Sequence, residues 1–365
     1  MKRVQVRSLG LDVLRAGCVL GVLVTHFAPF FIPADGAGGT VRNALALGSF
    51  GVTGFFLLSA YLLTGILLKE VQAKRAQIWK RYWIRRSLRI WPLYFLAIAV
   101  FVVAALLFSK PLTGLPWLAT FTYNWASWHE HNAVLSHFWS MCVEEQLYVL
   151  VPILAFVPLR RRIPVLVVLI VAAPIARWLV SFNAPYPAVW NFTTSHLDVF
   201  ALGVLLASLD FAGSPRWKRF RASIAGSPWV GITVAALFAL LVVLAAIDPQ
   251  RVFGGGDSAW TYLLAAAVWA WCLVVLTKRQ LVSTSPAVRA AAWMGQRSYG
   301  IYVYHWPVVL LGLTFGPATG IPLPVLGLGL IAVVLVVSEA SYRWFESPFL
   351  RLKARFSTDR PLVGN

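Results

Sequence analysis

The chain has 365 residues, of which 59% are hydrophobic and only 12% charged, and it carries a net charge of +19. A soluble domain has about 25% charged residues, and apolar runs of about 17–25 residues, the length that crosses a bilayer core, recur here. An ordinary soluble enzyme is excluded. A nucleic-acid binder is excluded too, because the basic residues lie between apolar segments in every second loop, with no stripe and no recognition motif.

In chain order, the apolar segments predict ten spans at about 9–31, 45–68, 88–108, 142–158, 163–181, 197–209, 228–247, 259–276, 299–315 and 322–342. The sixth is the weakest, since it is short and opens on His196 and Asp198. Lys2, Arg3 and Arg7 before the first span imitate a signal peptide. The length of that run, Arg15 within it and the lack of a cleavage pattern favour a retained helix. With the N-terminus cytoplasmic, the inner segments are 1–8, 69–89, 159–162, 210–222, 277–298 and 343–365. They then hold all of the 32 lysines and arginines except Arg15, Arg42, Lys110, Arg177 and Arg251. This alternation predicts an all-α polytopic membrane protein with both termini cytoplasmic. The membrane domain is expected over 1–350 and a cytoplasmic tail over 351–365, flexible from about 356.

The long external segment, roughly 109–141, holds Trp117, Tyr123, Trp125, Trp128 and Trp139 with His129, His131 and His137. Interfacial anchoring accounts for Trp117 and Trp125. Cys18, Cys142 and Cys272 lie in or beside apolar segments and have neither disulfide nor metal spacing, so they read as small buried hydrophobes. The small residues of GVTGFFLLSAYLLTG (51–65) predict close helix packing, and Ser59 has no acid–base partner within that motif.

Ionisable groups inside a span are costly and mark candidate sites. On the first span Arg15 and His26 return to nearly one face, about 16 Å apart along the axis. Asp12 is placed to pair with Arg15. The alternative is a structural ion pair and an interfacial histidine. HFWSMCVEEQLY (137–148) brings Glu144 and Glu145 to the outer start of the fourth span, pointing about 100° apart, so at most one faces His26. Arg177 and Asp198 are expected at the same outer depth as His26 and Glu144. A histidine beside a carboxylate is suited to act as general base on a hydroxyl; compensation of helix N-termini is the alternative for Glu144 and Asp198. At the inner level RRSLRIWPLY (85–94) supplies Arg85, Arg86 and Arg89, suited to phosphate or, alternatively, to lipid headgroups. Tyr304 and His305 are expected at that same inner level, and Glu339–Arg343 reads as a structural pair.

Taken together, these blocks resemble the acyltransferase-3 family. LDVLRAGCVLGVLVTH (11–26) carries its spaced Arg and His. FFLLSAY (55–61), RRSLRIWPLY (85–94), FWSMCVEEQLY (138–148), HLDVFALG (196–203), SYGIYVYHWP (298–307) and SYRWFESP (341–348) resemble its other blocks in order. The resemblance covers about 8–350. It implies ten core helices in a bacterial cytoplasmic (inner) membrane. It also implies transfer of an acyl group, commonly acetyl, from acyl-CoA to a hydroxyl of lipopolysaccharide, another surface glycan or polysaccharide, or a macrolide. His26 matches the family's essential histidine, Arg15 its paired arginine, Glu144 its fourth-helix glutamate, and Arg85, Arg86 and Arg89 its donor region. Ala60 replaces a common glycine. No SGNH-type segment follows, so any second transfer step is expected to be absent or to fall to another protein.

The expected catalytic residues are therefore His26, Glu144, Arg15 and Asp12, with Glu144 orienting His26. The donor side is expected to use Arg85, Arg86, Arg89, Tyr94 and His305, and the acceptor side Trp139, Ser140, Glu145, Arg177 and Asp198. No metal or permanently bound cofactor is expected. Acyl-CoA (acetyl-CoA) is the co-substrate, with a glycan or lipid-linked sugar and membrane lipid as the other partners. The competing class is a proton-coupled small-solute transporter, although no internal repeat is visible.

Overall fold

A computed structural model describes residues 9–130, 132–182, 186–278 and 285–356. Lys2, Arg3, Arg7, His131 and nearly all of the expected flexible tail lie outside the described residues. Among those described, every regular element is helical, and 10 segments are long and apolar enough to cross a membrane. The principal helices are α1 (Leu9–Phe31), α2 (Gly51–Gln72), α3 (Ile78–Leu107), α4 (Trp139–Phe156), α5 (Leu159–Ser181), α6 (Leu197–Ala212), α7 (Pro228–Ile247), α8 (Ser258–Lys278), α9 (Pro286–Phe315) and α10 (Leu323–Ala340). They follow the expected spans in number and order. Cys18 and Cys142 are buried free thiols, and Cys272 is a partly buried one.

Two helices begin well before their apolar windows, α3 at Ile78 and α9 at Pro286. Hydropathy marks where apolar side chains start, whereas a helix continues through polar turns because its backbone bonds are internal. For α9 this adds about 19 Å ahead of residue 299. Conversely, α2 and α4 begin within the protein. The chain ahead of α2, Gly36–Leu45 and a 3₁₀ turn at Ala46–Phe50, runs in along α1. A Cβ on Gly51 would meet the Cys18 carbonyl oxygen at 2.1 Å, so the close packing expected of 51–65 is present.

α1 and α9 run side by side in the same direction. Gly295 abuts Asp12 near one end and Gly312 abuts Phe30 near the other. A Cβ at Gly295 would fall 1.8 Å from the Asp12 carbonyl oxygen. Gly295→Leu is therefore expected to part the two helices and cost about 3 kcal/mol or more. A fall in the unfolding temperature of the detergent-solubilised protein checks this.

After α10 the chain widens into a π-helical turn, Ser341–Glu346, and continues as α11 (Ser347–Ala354), so residues 351–354 of the expected tail are helical. Glu339 bridges Arg297 and Arg343, which makes the predicted Glu339–Arg343 pair part of a three-residue network. Arg297 also stacks over Trp293 and Tyr342. The network and the π turn together carry α11 back against α3, beneath the basic ends of α1 and α2.

Candidate active site

At the end of the bundle where the basic residues gather, a cavity of about 1010 Å³ opens between α1, α2, α3, α9 and α11. Arg15, Arg85, Arg86, Arg89 and Lys353 line it. It continues into a chamber of about 260 Å³ that shares Arg15, Arg86, Arg89 and Lys353 and adds Ser59, Ser140, Glu144, Tyr148 and Tyr302. The predicted Asp12–Arg15 pair is formed at 2.7 Å, and Gln296 also donates to Asp12. Arg86 lies over the Tyr148 ring at 5.0 Å. Arg85 has a different task. Its guanidinium grips Glu70 at 2.5 and 2.9 Å and donates to the Phe356 carbonyl, which ties α2, α3 and the segment after α11 together. Lys353 and Glu70 were not foreseen. Lys353 reads as one basic residue of a polar tail, and only the fold turns it into the cavity.

Glu144 occupies this chamber and accepts a hydrogen bond from Ser59 Oγ at 3.1 Å. Ser59 thus takes its carboxylate partner from another helix, outside its own motif. The depth of Glu144 corrects an expectation. Glu144 lies with Arg15 rather than at the depth of His26, and it does not orient His26. The reason is the seating of α4. Ser140 meets the Tyr302 hydroxyl at 2.5 Å, and Tyr302 is well along α9. Glu144, about 6 Å further toward the basic end, is therefore level with Arg15.

His26 is held differently. Its Nδ1 is 2.9 Å from the Val22 carbonyl oxygen. A carbonyl only accepts, so Nδ1 carries a proton, and in the neutral ring Nε2 keeps its lone pair. The ring packs against His305 and Trp306, with centroids 5.0 and 5.1 Å away. His305 was expected at the inner, donor level. The early start of α9 carries it past the arginines to His26 instead. His137, from the turn before α4, completes a group of three imidazoles, its ring 5.3 Å from that of His305.

Other expected residues fall outside the cavity. Tyr94 is buried, donates to the Leu118 carbonyl and stacks on Phe121 and Phe138, so its place is in the core and not on the donor path. Glu145 is buried and accepts from Trp91. Trp139 packs among Phe56, Trp190 and His196. Arg177 and Asp198 form a 2.6 Å ion pair with both side chains 0% exposed. Arg177 also donates to the carbonyls of Ser195, Ser258 and Ala259 and lies over Tyr262. This is a saturated clamp joining α5, α6 and α8, with nothing left to offer an acceptor. Arg177→Ala strands a buried carboxylate, so a loss of about 3–5 kcal/mol is expected. Thermal unfolding checks it; a stable variant with an impaired acceptor KM would instead indicate a binding role.

A helical membrane protein with a cation-lined cavity inside the bundle, and an unprotonated imidazole nitrogen beyond it, has the layout of a membrane-embedded transferase. The comparison with known proteins is specific. The acyltransferase-3 family model, described as an acyltransferase domain, matches residues 8–342, and the chain belongs to this family. It is 26% identical over 375 residues to a Staphylococcus aureus (strain COL) protein provisionally named an O-acetyltransferase, with 93% of this chain and 57% of that protein covered. It is 25% identical over 362 residues to O-acetyltransferase OatA of Staphylococcus aureus (strain NCTC 8325 / PS 47), with 93% and 56% covered. The chain thus spans little more than half the length of these relatives. No solved structure matches.

Proposed function

We propose that this protein transfers an acyl group from an acyl-coenzyme A to a hydroxyl of a glycan or lipid-linked sugar at the outer side of a bacterial cytoplasmic membrane. The names of its relatives favour acetyl. In this reading the basic end faces the cytosol, as the loop charges favour. The observation that carries it is the convergence of Arg15, Arg86, Arg89 and Lys353 on one cavity. The deep end of that cavity, at Tyr302, is one ring contact from His305, which touches His26.

The cations bind the donor's phosphates through charge-assisted hydrogen bonds. The chamber past Glu144, Ser59 and Tyr148 takes the thioester arm. His26 Nε2 removes the acceptor's hydroxyl proton as the oxygen attacks the thioester carbonyl. A C–O bond forms, the C–S bond breaks, and the donor departs as a thiol once its thiolate gains a proton.

Membranes containing the protein, incubated with labelled acetyl-CoA and glycan, test the reading. Label in the glycan supports it. Gradient-driven uptake of a small solute without label transfer would replace it with the transporter reading. Mass spectrometry of surface glycans with and without the gene then identifies the acceptor by a mass change of one acyl group.

A further inference from the structure

The imidazole group contains more basic nitrogen than one general base requires. His305 Nδ1 is 2.6 Å from the Tyr302 carbonyl oxygen and His137 Nε2 is 3.2 Å from that of Val303. By the argument applied to His26, those nitrogens carry protons, and in the neutral rings the opposite ones are bare. His305 Nε2 and His137 Nδ1 are buried and have no hydrogen-bond partner. Two unpaired acceptors in one buried group are costly as a purely structural arrangement. On the side toward the cavity the Tyr302 and Ser140 hydroxyls contact each other, and both reach the His137 carbonyl. Ser140 and Tyr302 line the chamber that holds Glu144. The titratable groups facing His305 are His26 from α1, His137 from the turn before α4 and Tyr302 of its own helix.

We propose that His305 is a proton-relay residue for His26, accepting at Nε2 the proton that His26 takes from the acceptor hydroxyl. His26 then takes that proton back and delivers it to the thiolate that leaves the same acyl carbon. The proposal rests on the acyl-transfer reading above. It also closes that reaction's balance. The attacking oxygen and the leaving sulfur share one acyl carbon, so a proton held between His26 and His305 stays within reach of the sulfur through His26. His26 and His305 are in ring contact, so a rotation of the imidazole brings the two bare nitrogens together around one shared proton. Spreading the resulting charge over two rings lowers the cost of an imidazolium among apolar neighbours such as Val19, Leu23 and Ile301. His137, with its own bare nitrogen against His305, stabilises the same cation.

The test uses the full chain in lipid vesicles, with acetyl-CoA and glycan as substrates. His305→Ala is expected to lower kcat about 10²-fold while leaving the KM for donor and acceptor within about twofold. Added imidazole is expected to restore part of the lost rate. His305→Gln, which keeps a polar side chain without a basic nitrogen, is expected to lower kcat to a similar extent. Near-normal kcat in both variants overturns the relay. So does a raised KM in His305→Ala with no response to imidazole, which is the signature of a packing role. If His305→Ala does not fold, His305→Gln decides alone. If His26→Ala is inactive and both His305 variants are normal, the relay fails and the acyl-transfer reading stands. If the wild-type chain transfers no label, the acyl-transfer reading fails and the relay with it.

Discussion

His26→Ala is expected to abolish acyl transfer and to leave the protein in the membrane at its normal level. The half-buried His26 ring makes one hydrogen bond, to the Val22 carbonyl of its own helix, so deleting it breaks no contact between distant helices beyond ring packing. Its chemical contribution is larger. General-base catalysis by a positioned imidazole supplies about 10²–10⁴-fold in rate, and no other bare imidazole nitrogen takes over if the acceptor hydroxyl is fixed against Nε2. His26→Gln retains the size and the Val22 bond without the basicity, and it is expected to be equally inactive. Label transfer from acetyl-CoA, read beside immunoblot abundance, separates chemistry from folding. Near-normal product in either variant would remove His26 from the mechanism.

Lys353→Glu and Arg89→Ala should each raise the KM for acyl-CoA about 10–100-fold, the equivalent of one charge-assisted hydrogen bond worth about 1.5–3 kcal/mol. The acceptor KM should stay unchanged. Both residues line the wide cavity and the inner chamber, where a donor passing inward meets them. The effect should shrink as salt is raised, because screening already weakens the wild-type contact. Arg85→Ala is expected to behave differently, although it lies one turn from Arg89. Glu70 is fully buried against Arg85, so the loss appears as about 3–5 kcal/mol of stability and not as donor KM. An unchanged donor KM for Lys353→Glu and Arg89→Ala would assign these cations to lipid headgroups instead.

These residues mark how far the candidate site can be read along the chain. The Asp12–Arg15 pair was legible because its partners are three residues apart on one helix, and so was Glu339–Arg343. His26 stood out as an imidazole on an apolar face, and the arginines of α3 as a cluster. Glu144 was recognised as exceptional but set at the wrong depth. His305 was placed with the donor arginines because the apolar window of α9 starts at 299 and the helix at Pro286. Arg177 and Asp198 were singled out correctly as costly groups, yet nothing local says that they satisfy each other. Lys353 and Glu70 gave no signal at all, since each resembles any charged residue of a basic loop.

The sequence by itself determined the ten apolar helices and their order, the local pairs on single helices, and the identity of the costly residues. Composition, hydropathy and helical period are properties of one segment at a time. Only the tertiary structure decided which costly residues meet. It set Glu144 beside Ser59, His305 beside His26, Arg85 on Glu70, and Lys353 inside the cavity. Those pairings depend on the depth and rotation of one helix against another. Depth and rotation are set by how closely backbones approach at positions such as Gly51 and Gly295, and by where a helix truly starts, and neither quantity is carried by the segment alone.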